Sequence, residues 1–190
     1  MGVTRGRAVR ASGALALLAL AFLAARTEPS DDVTFAPFVV RVEAGQLGEG
    51  RGLQAAVDDA VLADEATLDD WTGETSGVWL VVATRMASTE NGSLGYATLA
   101  VGERRWVAST RPGLAAMTSA YLEPGLPMAG SFLFELPGDI VDDPAARDAV
   151  VRLAGESDSR LRTVVEVGVD LTALAREPAV DVAPTERITW

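Results

Sequence analysis

VWLVVATRM, residues 78–86, carries apolar side chains at consecutive positions rather than at every second position. Neighbouring side chains of a strand point to opposite faces of a sheet, so Val78, Trp79, Leu80 and Val81 place apolar groups on both faces. A strand with one face in water would instead alternate apolar and polar side chains. The stretch therefore predicts a central strand that is covered on each side.

The segments around this stretch predict further short strands separated by turns. Phe38 to Glu43 alternates apolar and charged side chains, and a period of two is typical of a half-buried strand. Gly102 lies between two apolar segments and predicts a hairpin, whereas Pro137-Gly138 ends another strand. Short strands with Pro-Gly and Asn-Gly turns predict an all-β fold, an antiparallel β-sandwich. The predicted strands are residues 38–43, 78–86, 96–101, 104–107, 131–136 and 164–171.

Other segments are less clearly patterned. Residues 53–62 fit a helix face and a strand about equally well, and residues 149–153 fit a strand or a helical turn. Residues 64–76 and 139–147 are acidic, contain turn residues and predict loops. Residues 172–190 have only a weak pattern and are predicted to form a C-terminal tail.

The N-terminal segment has the layout of a sequence that enters a membrane. Three arginines precede the uncharged run Ala11–Ala25, and Arg26 closes it. This pattern predicts one hydrophobic helix, which is either kept as a signal anchor through residues 8–26 or removed as a signal peptide. No clear small-x-small cleavage site follows the run, which favours the anchor.

A retained anchor predicts a single-pass protein of the cell membrane whose C-terminal domain lies outside the cytoplasm; the alternative is a secreted protein. The predicted organisation is an N-terminal helix (1–26), a linker (27–36), a β-sandwich domain (37–171) and a C-terminal tail (172–190).

The composition excludes several classes of chemistry and of partner. The chain has no cysteine, no histidine and no lysine, so disulfides, thiol nucleophiles, imidazole bases and Schiff bases are excluded. Residues 27–190 carry 12 arginines against all 27 acidic residues, a net charge of −15. Such a surface repels nucleic acid, so no nucleic-acid partner is expected. Sixteen arginines without a lysine are typical of a GC-rich bacterial genome.

The segment from Gly77 to Ile140 carries a set of motifs. It contains a Gly-x-Trp-Leu-Val-Val strand, a hairpin around a glycine, a Leu-x-Pro-Gly turn, and a strand that ends in Phe-Glu-Leu-Pro. Over residues 38–171 the chain resembles the membrane-anchored, extracytoplasmic immunoglobulin-like domains of unknown function found in actinobacteria. The matching residues are Gly77, Trp79, Leu80, Gly102, Trp106, Leu122, Pro124, Gly125, Gly130, Phe134, Glu135 and Pro137.

This resemblance implies an immunoglobulin-like sandwich outside the cytoplasm. It also favours a strand over a helix at residues 53–62, and it brings no catalytic residue. The resemblance leaves open the role of the acidic stretch at residues 64–76.

Candidate site residues are few. Asp139, Asp142 and Asp143 lie close together in one acidic segment and have the carboxylate oxygens that calcium prefers. Trp71 and Trp190 lie in loop-like and terminal segments, where a large aromatic side chain is available to contact a partner. The other two tryptophans are expected in the core. No catalytic residue, cofactor or cofactor-binding residue is predicted.

These features favour a non-catalytic, membrane-tethered domain of the bacterial cell envelope that binds another envelope or membrane protein, or serves it as an accessory subunit. One alternative is a module that binds a cation or small ligand through its acidic loops. A further alternative is a carboxylate-based hydrolase of envelope glycan, which requires two carboxylates facing each other about 5–9 Å apart across a cleft.

Overall fold

The structure is a computed structural model that describes residues 35–190 and, before them, residues 13, 16–18, 20–23 and 26. Those earlier described residues are helical. No helix among the described residues is long and apolar enough to span a membrane.

The chain divides into two compact units, residues 1–36 and residues 37–190. The anchor predicted at residues 8–26 and the linker predicted at residues 27–36 fall largely outside the described residues and stay predictions. The following paragraphs concern the second unit.

The described residues of the second unit form thirteen strands and four short 3₁₀ helices. The strands of the first half are Phe38–Val42 (β1), Gly48–Gly50 (β2), Leu53–Leu68 (β3), Trp71–Ser88 (β4), Ser93–Leu94 (β5), Tyr96–Val101 (β6) and Arg104–Val107 (β7). Those of the second half are Tyr121–Leu122 (β8), Met128–Leu136 (β9), Ala149–Ala154 (β10), Thr163–Val169 (β11), Arg176–Val182 (β12) and Glu186–Arg187 (β13). The 3₁₀ helices are Gly113–Ala115, Met117–Ser119, Ile140–Asp142 and Pro144–Asp148.

Two sheets pack face to face. The first sheet has the strand order β1-β11-β10-β6-β7, and the second has the order β12-β3-β4-β9-β13, with β2 also paired to β3. All their strand pairs are antiparallel except β1 with β11 and β12 with β3, which are parallel. The two strands of each parallel pair are far apart in the sequence. Parallel neighbours need a long crossover connection, and here that connection includes strands of the other sheet. The prediction of a purely antiparallel sandwich is therefore wrong at these two pairs.

The principal core lies between the two sheets. Leu80, Val82 and Phe134 of the second sheet are fully buried and cluster with Leu99 and Val151 of the first. Burial of each large apolar side chain contributes about 1.5–3 kcal/mol. This layer is therefore the main source of the stability of the fold.

Several sequence predictions are confirmed. Residues 78–86 are the central part of β4, and Val78 to Val82 are all at most 5% exposed, so the strand is covered on both faces. Residues 53–62 are strand, as the resemblance favoured, and lie in β3. The predicted hairpin around Gly102 joins β6 to β7.

β4 is sharply bent between its two tryptophans. Trp71 and Trp79 would lie about 26 Å apart along a straight strand, yet their ring centroids are 5.5 Å apart and the rings meet edge to face. Trp79 Nε1 also donates a 2.9 Å hydrogen bond to the carbonyl oxygen of Gly73. The tip of the β3–β4 hairpin, residues 64–76, is therefore folded back onto the outer face of its own sheet.

Two glycines make room for this bend. A Cβ on Gly77 would overlap with the carbonyl oxygen of Leu136 on β9, and a Cβ on Gly73 would overlap with the ring of Trp71. Neither glycine has a positive φ. Close approach to a backbone oxygen, rather than an unusual backbone conformation, therefore requires glycine at position 77. At position 73 an added Cβ would displace the ring of Trp71.

A second, smaller core lies beneath the folded tip. It contains Trp79, Val81 and Leu133 on the outer face of the second sheet, with Leu68 from the tip and Val182 from β12. All five are at most 5% exposed. The outer face of this sheet is thus covered by the chain's own hairpin rather than by solvent.

Residues 64–76 are mostly strand, and their interpretation as an acidic loop is wrong. Ala66 and Leu68 face the second core, whereas Asp64, Asp69 and Asp70 are exposed. The pattern resembles a loop because the solvent face is acidic and the turn at Asp69, with φ 54°, interrupts the alternation.

The predicted C-terminal tail is also part of the sheet. β12 runs beside β3 in parallel register from Arg176↔Leu62 to Val182↔Leu68. Most side chains of β12 are exposed, so the strand has little apolar alternation to reveal it in the sequence. The folded unit therefore extends from residue 37 to residue 190 and does not end at residue 171.

Candidate functional site

One end of the sandwich brings together loops that are distant in the sequence. Strand pairing places Ser88 beside Leu53, Tyr96 beside Ala154, and Ala154 beside Val164. The segments that connect these positions therefore meet at one end of the two sheets. We call this the loop end, and it consists of residues 50–52, 89–95, 117–122 and 155–162.

A cleft of about 310 Å³ opens at the loop end. Its walls come from residues 92–96, from Thr118 and from residues 155–157. Two smaller hollows of about 70 Å³ and 150 Å³ adjoin the cleft and share lining residues with it. The three together form a continuous concave surface that runs from the loops onto the outer face of the first sheet.

Two buried hydroxyl groups in the cleft walls have no hydrogen-bond partner among the described residues. They are Ser93 Oγ and Thr118 Oγ1. Leaving a buried hydroxyl without a partner costs about 1–3 kcal/mol. Such groups are usually satisfied by water or by a ligand. Both oxygens have almost no surface exposed to solvent in this conformation, so the side chains would have to rotate to meet an occupant of the cleft.

Close backbone packing fixes the position of these hydroxyls. Ser93 belongs to β5, which pairs with β8 through Ser93↔Leu122. Gly95 approaches the turn that carries Thr118 so closely that a Cβ there would lie 2.8 Å from the carbonyl oxygen of Met117. Met117 itself is fully buried in the principal core. The fold therefore fixes the backbone positions that carry these two hydroxyls.

An exposed apolar pair lies beside the cleft. Leu94 and Tyr121 lie directly opposite each other in the β5–β8 ribbon, and they are 53% and 59% exposed. Exposed apolar side chains that are adjacent, beside unpartnered polar groups, are characteristic of a contact surface.

Charged side chains of the loop end are paired within it. Hydrogen bonds from Arg160 lower the pKa of the Asp158 carboxyl to about 2. The loop end is therefore close to neutral, although the domain as a whole is strongly acidic. The ion pairs are Arg51–Glu90 at 3.1 Å, Arg162–Glu156 at 3.3 Å and Arg160–Asp158 at 2.6 Å.

The three aspartates predicted as calcium ligands lie at the opposite end of the sandwich. Asp143 accepts a 2.8 Å hydrogen bond from the backbone N–H of Ala145 and forms an ion pair with Arg104. Asp142 borders a separate hollow, and Asp139 is exposed. Within the described part of the chain no group of three or more carboxylates is close enough to hold a metal ion. The carboxylate of Asp143 is therefore engaged in contacts within the protein.

The tryptophans have different surroundings. Trp71, a predicted partner contact, is half-buried against Trp79 in the second core. Trp190, the other predicted contact, is 47% exposed, with the guanidinium of Arg85 5.4 Å above its ring. Of the two expected in the core, Trp79 is fully buried and Trp106 is half-buried. None of the four tryptophans lines the cleft at the loop end.

Thr118 is marked by no sequence motif, and Ser93 is the last residue of an Asn-Gly-Ser sequon for N-glycosylation. The sequon contains the turn at Asn91-Gly92, and neither feature indicates a ligand-binding group. The two hydroxyls come from segments 25 positions apart that meet only after the sandwich has formed.

A polar cluster covers Trp79 at the edge of the folded tip. The guanidinium of Arg111 lies 5.2 Å above the Trp79 ring and 2.9 Å from Glu135 Oε2. Thr75 Oγ1 donates a 2.8 Å hydrogen bond to Glu135 Oε1. This hydroxyl, followed by Arg111, lowers the pKa of the Glu135 carboxyl below its ordinary value of 4.5. The charged form of Glu135 therefore stabilises the folded state.

Replacing Glu135 with glutamine is expected to reduce stability in a pH-dependent way. Because the pKa is lower in the folded state, the carboxylate contributes stability above about its ordinary pKa, and this is lost as the pH falls through the folded value. The side chain is 42% exposed, so the difference at neutral pH should be less than about 1 kcal/mol. Unfolding of wild type and Glu135→Gln at pH 7 and well below pH 4.5 measures it. A difference that stayed constant with pH would contradict this role.

Comparison with known proteins identifies a fold. No protein-family model matches the chain, and no curated protein is similar to it. An uncharacterised β-sandwich protein from Clostridium difficile aligns with a TM-score of 0.50 and 9% sequence identity, covering 75% of this chain and 99% of that one. This chain is a β-sandwich. At such low identity the likeness concerns the fold alone.

A second solved structure aligns less well. It is a candidate lipoprotein from Staphylococcus aureus, with a TM-score of 0.43 and 9% identity over 72% of this chain and 96% of that chain.

Proposed function

We propose that this protein is a non-catalytic binding domain of the bacterial cell envelope, tethered to the membrane by its N-terminal segment, which recognises another envelope protein through the loop end. The observation that carries the proposal is the cleft at the loop end beside the exposed, adjacent pair Leu94 and Tyr121. Exposed apolar side chains beside a cleft with polar walls have the composition of a recognition surface.

The strand order supports an immunoglobulin-like fold. β4 and β9 are neighbours in one sheet, and β6, β10 and β11 lie in the other. They take the places of strands B and E and of strands C, F and G of an immunoglobulin domain. The loops at residues 89–95 and 155–162 then match two of the loops that bind antigen in antibody variable domains. A fold alone assigns no function, so this likeness supports the proposal and the site carries it.

The tether rests on the sequence. Three arginines precede the apolar run Ala11–Ala25, and an excess of positive charge before a hydrophobic segment keeps that end in the cytoplasm. The rest of the chain then lies outside the cytoplasm. A tethered binder encounters other envelope proteins at high local concentration, so a modest interface is sufficient for association.

Affinity capture of the full chain from membranes solubilised in mild detergent tests the proposal. We expect the wild-type chain to retain a specific envelope protein. The double variant Leu94→Asp/Tyr121→Ser should reduce its recovery by about tenfold, equivalent to about 1.4 kcal/mol. Both side chains are exposed in the folded domain, so the variant should fold normally.

Leu47→Asp is the matched control. Leu47 is also exposed, at 37%, but it lies between β1 and β2 and does not line the cleft. It should leave the captured protein unchanged. Repeated captures without a partner above background would overturn the proposal, as would a partner that the double variant retains in full.

A further inference from the structure

The outer face of the first sheet carries a hollow of about 150 Å³ whose charge is opposite to that of the rest of the domain. Arg105 on β7 and Arg152 on β10 line it, together with four hydroxyl-bearing residues. No carboxylate is among the described residues that line it. In residues 37–190, which carry 24 acidic residues and 12 arginines, such a lining is a local reversal of sign.

Arg152 is held in place with part of its hydrogen-bonding capacity unused. Its Nε lies 3.0 Å from Glu166 Oε1, but the pair lacks the alignment of a hydrogen bond, and this buried Nε has no other partner among the described residues. Glu166 also pairs with Arg41, at 3.1 Å. One carboxylate therefore serves two guanidinium groups, and the trio keeps a net positive charge.

Strand register explains why these residues meet. Arg41, Glu166, Arg152 and Thr98 lie opposite one another in a row across β1, β11, β10 and β6. Arg105 lies opposite Ala100, one row away on the same face of the sheet. Long arginine side chains bridge this spacing, so both Arg105 and Arg152 reach the hollow from rigid strands.

Arg105 supplies the second positive charge. It is exposed, and within residues 35–190 no carboxylate lies within 4.0 Å of its guanidinium nitrogens. An arginine fork donates two parallel hydrogen bonds to a carboxylate or a phosphate, and two such groups facing one hollow favour an anion.

The remaining walls favour a hydroxylated ligand. Tyr96, Thr98, Ser157 and Ser159 surround the arginines. Tyr96 and Ser157 also line the larger cleft, together with Ser93 and Thr118. A ligand whose anionic group enters the hollow would thus extend its remaining atoms toward further hydrogen-bonding groups. A purely apolar body would leave them unsatisfied.

We infer that this hollow, the arginine pocket, binds the carboxylate or phosphate group of a hydroxylated small molecule, as in a uronic acid or a sugar phosphate. The space of about 150 Å³ suits one anionic group and the atoms next to it. This site does not depend on the proposed envelope partner, because its ligand is small and its walls include residues of the sheet outside the loop end.

Calorimetric titration of the full chain in an uncharged polyoxyethylene detergent tests the inference. The probes are glucuronate, glucose 6-phosphate and, as the neutral control, glucose. We expect binding of at least one anionic probe below about 10 mM and none of glucose in that range. Binding of glucuronate alone would assign a carboxylate ligand, and binding of glucose 6-phosphate alone would assign a phosphate ligand.

Variants identify the site. Arg105→Gln removes an exposed charge and should weaken binding by about tenfold or more, and Arg152→Gln should do so at least as strongly. Arg176→Gln is the matched control, since Arg176 is an exposed arginine paired with Asp64 on β3, away from the pocket. If Arg152→Gln fails to fold, the titration of Arg105→Gln still tests whether the arginine pocket is the binding site.

The inference would be overturned if neither anion bound, if glucose bound equally well, or if Arg105→Gln bound like wild type. Failure of this titration leaves the capture experiment untouched, and failure of the capture experiment leaves this one untouched, because the two use different ligands and different variants.

Discussion

Gly77→Ala is expected to lower the free energy of unfolding by about 3 kcal/mol, near the upper end of the range for forcing extra atoms into a packed site. The new Cβ would overlap with the carbonyl oxygen of Leu136. A backbone oxygen cannot rotate away as a flexible side chain can, so relief requires β4 and β9 to separate near the pair Val78↔Leu136. Urea unfolding of the full chain, followed by tryptophan fluorescence, measures the change.

Gly168→Ala is the matched control for this substitution. Gly168 also lies within a strand, in β11, but a Cβ there would meet no atom within 4 Å. Alanine costs less chain entropy than glycine in a strand, so stability should stay unchanged or rise by about 0.5–1 kcal/mol. Equal effects of the two substitutions would show that β4 does not approach β9 closely at Gly77.

Trp79→Ala is expected to destabilise the protein by about 3–5 kcal/mol, the usual cost of deleting a large buried aromatic side chain. Trp79 is fully buried and also donates the hydrogen bond to Gly73 that fastens the folded tip. Its loss should therefore release residues 64–76 from the sheet as well. Hydrogen exchange of the backbone amides reads this local opening separately from global unfolding.

Trp106→Ala distinguishes the loss of core packing from the release of residues 64–76. Trp106 is half-buried and packs against the principal core on β7, far from the tip in the strand order. Its removal should cost less than the removal of Trp79 and should leave hydrogen exchange at residues 64–76 unchanged. Faster exchange at the tip in both variants, to the same extent, would contradict the role assigned to Trp79.

The regular part of the fold could be predicted from local pattern. The consecutive apolar residues of 78–86 require a strand with both faces covered, and the alternation in residues 38–43 marks an edge strand of the first sheet. These patterns can be recognised because each side chain faces either the core or solvent according to its place in a regular strand. The strand order and the pairing of β1 with β11 depend on contacts between distant segments, which local pattern does not contain.

The second layer of packing was not predictable for a physical reason. Which chain segment covers the outer face of β4 depends on the bend between Trp71 and Trp79, and the glycines in this segment indicate only an ordinary turn. The segments that cover that face, residues 64–76 and 176–182, expose acidic or polar side chains on their other side. Their apolar residues are too few to show a period of two.

The loop end was not predictable for a different reason. Ser93 and Thr118 are common residue types in turns, and only their burial without a partner distinguishes them. The candidates that the sequence singled out, Asp143 and Trp71, have internal contacts instead. Residue type and local charge thus indicate where charged or polar groups occur in the sequence. The tertiary structure decides which of these groups have partners within the protein.

The central claim is that the loop end of a tethered domain contacts another envelope protein. Its most direct test is to place a photo-cross-linking amino acid at Tyr121, and for comparison at Leu47, in the full chain in intact cells. We expect one major cross-linked product, joined to an envelope protein, from position 121 and none from position 47. The absence of a product at position 121, or the same products from both positions, would contradict the claim.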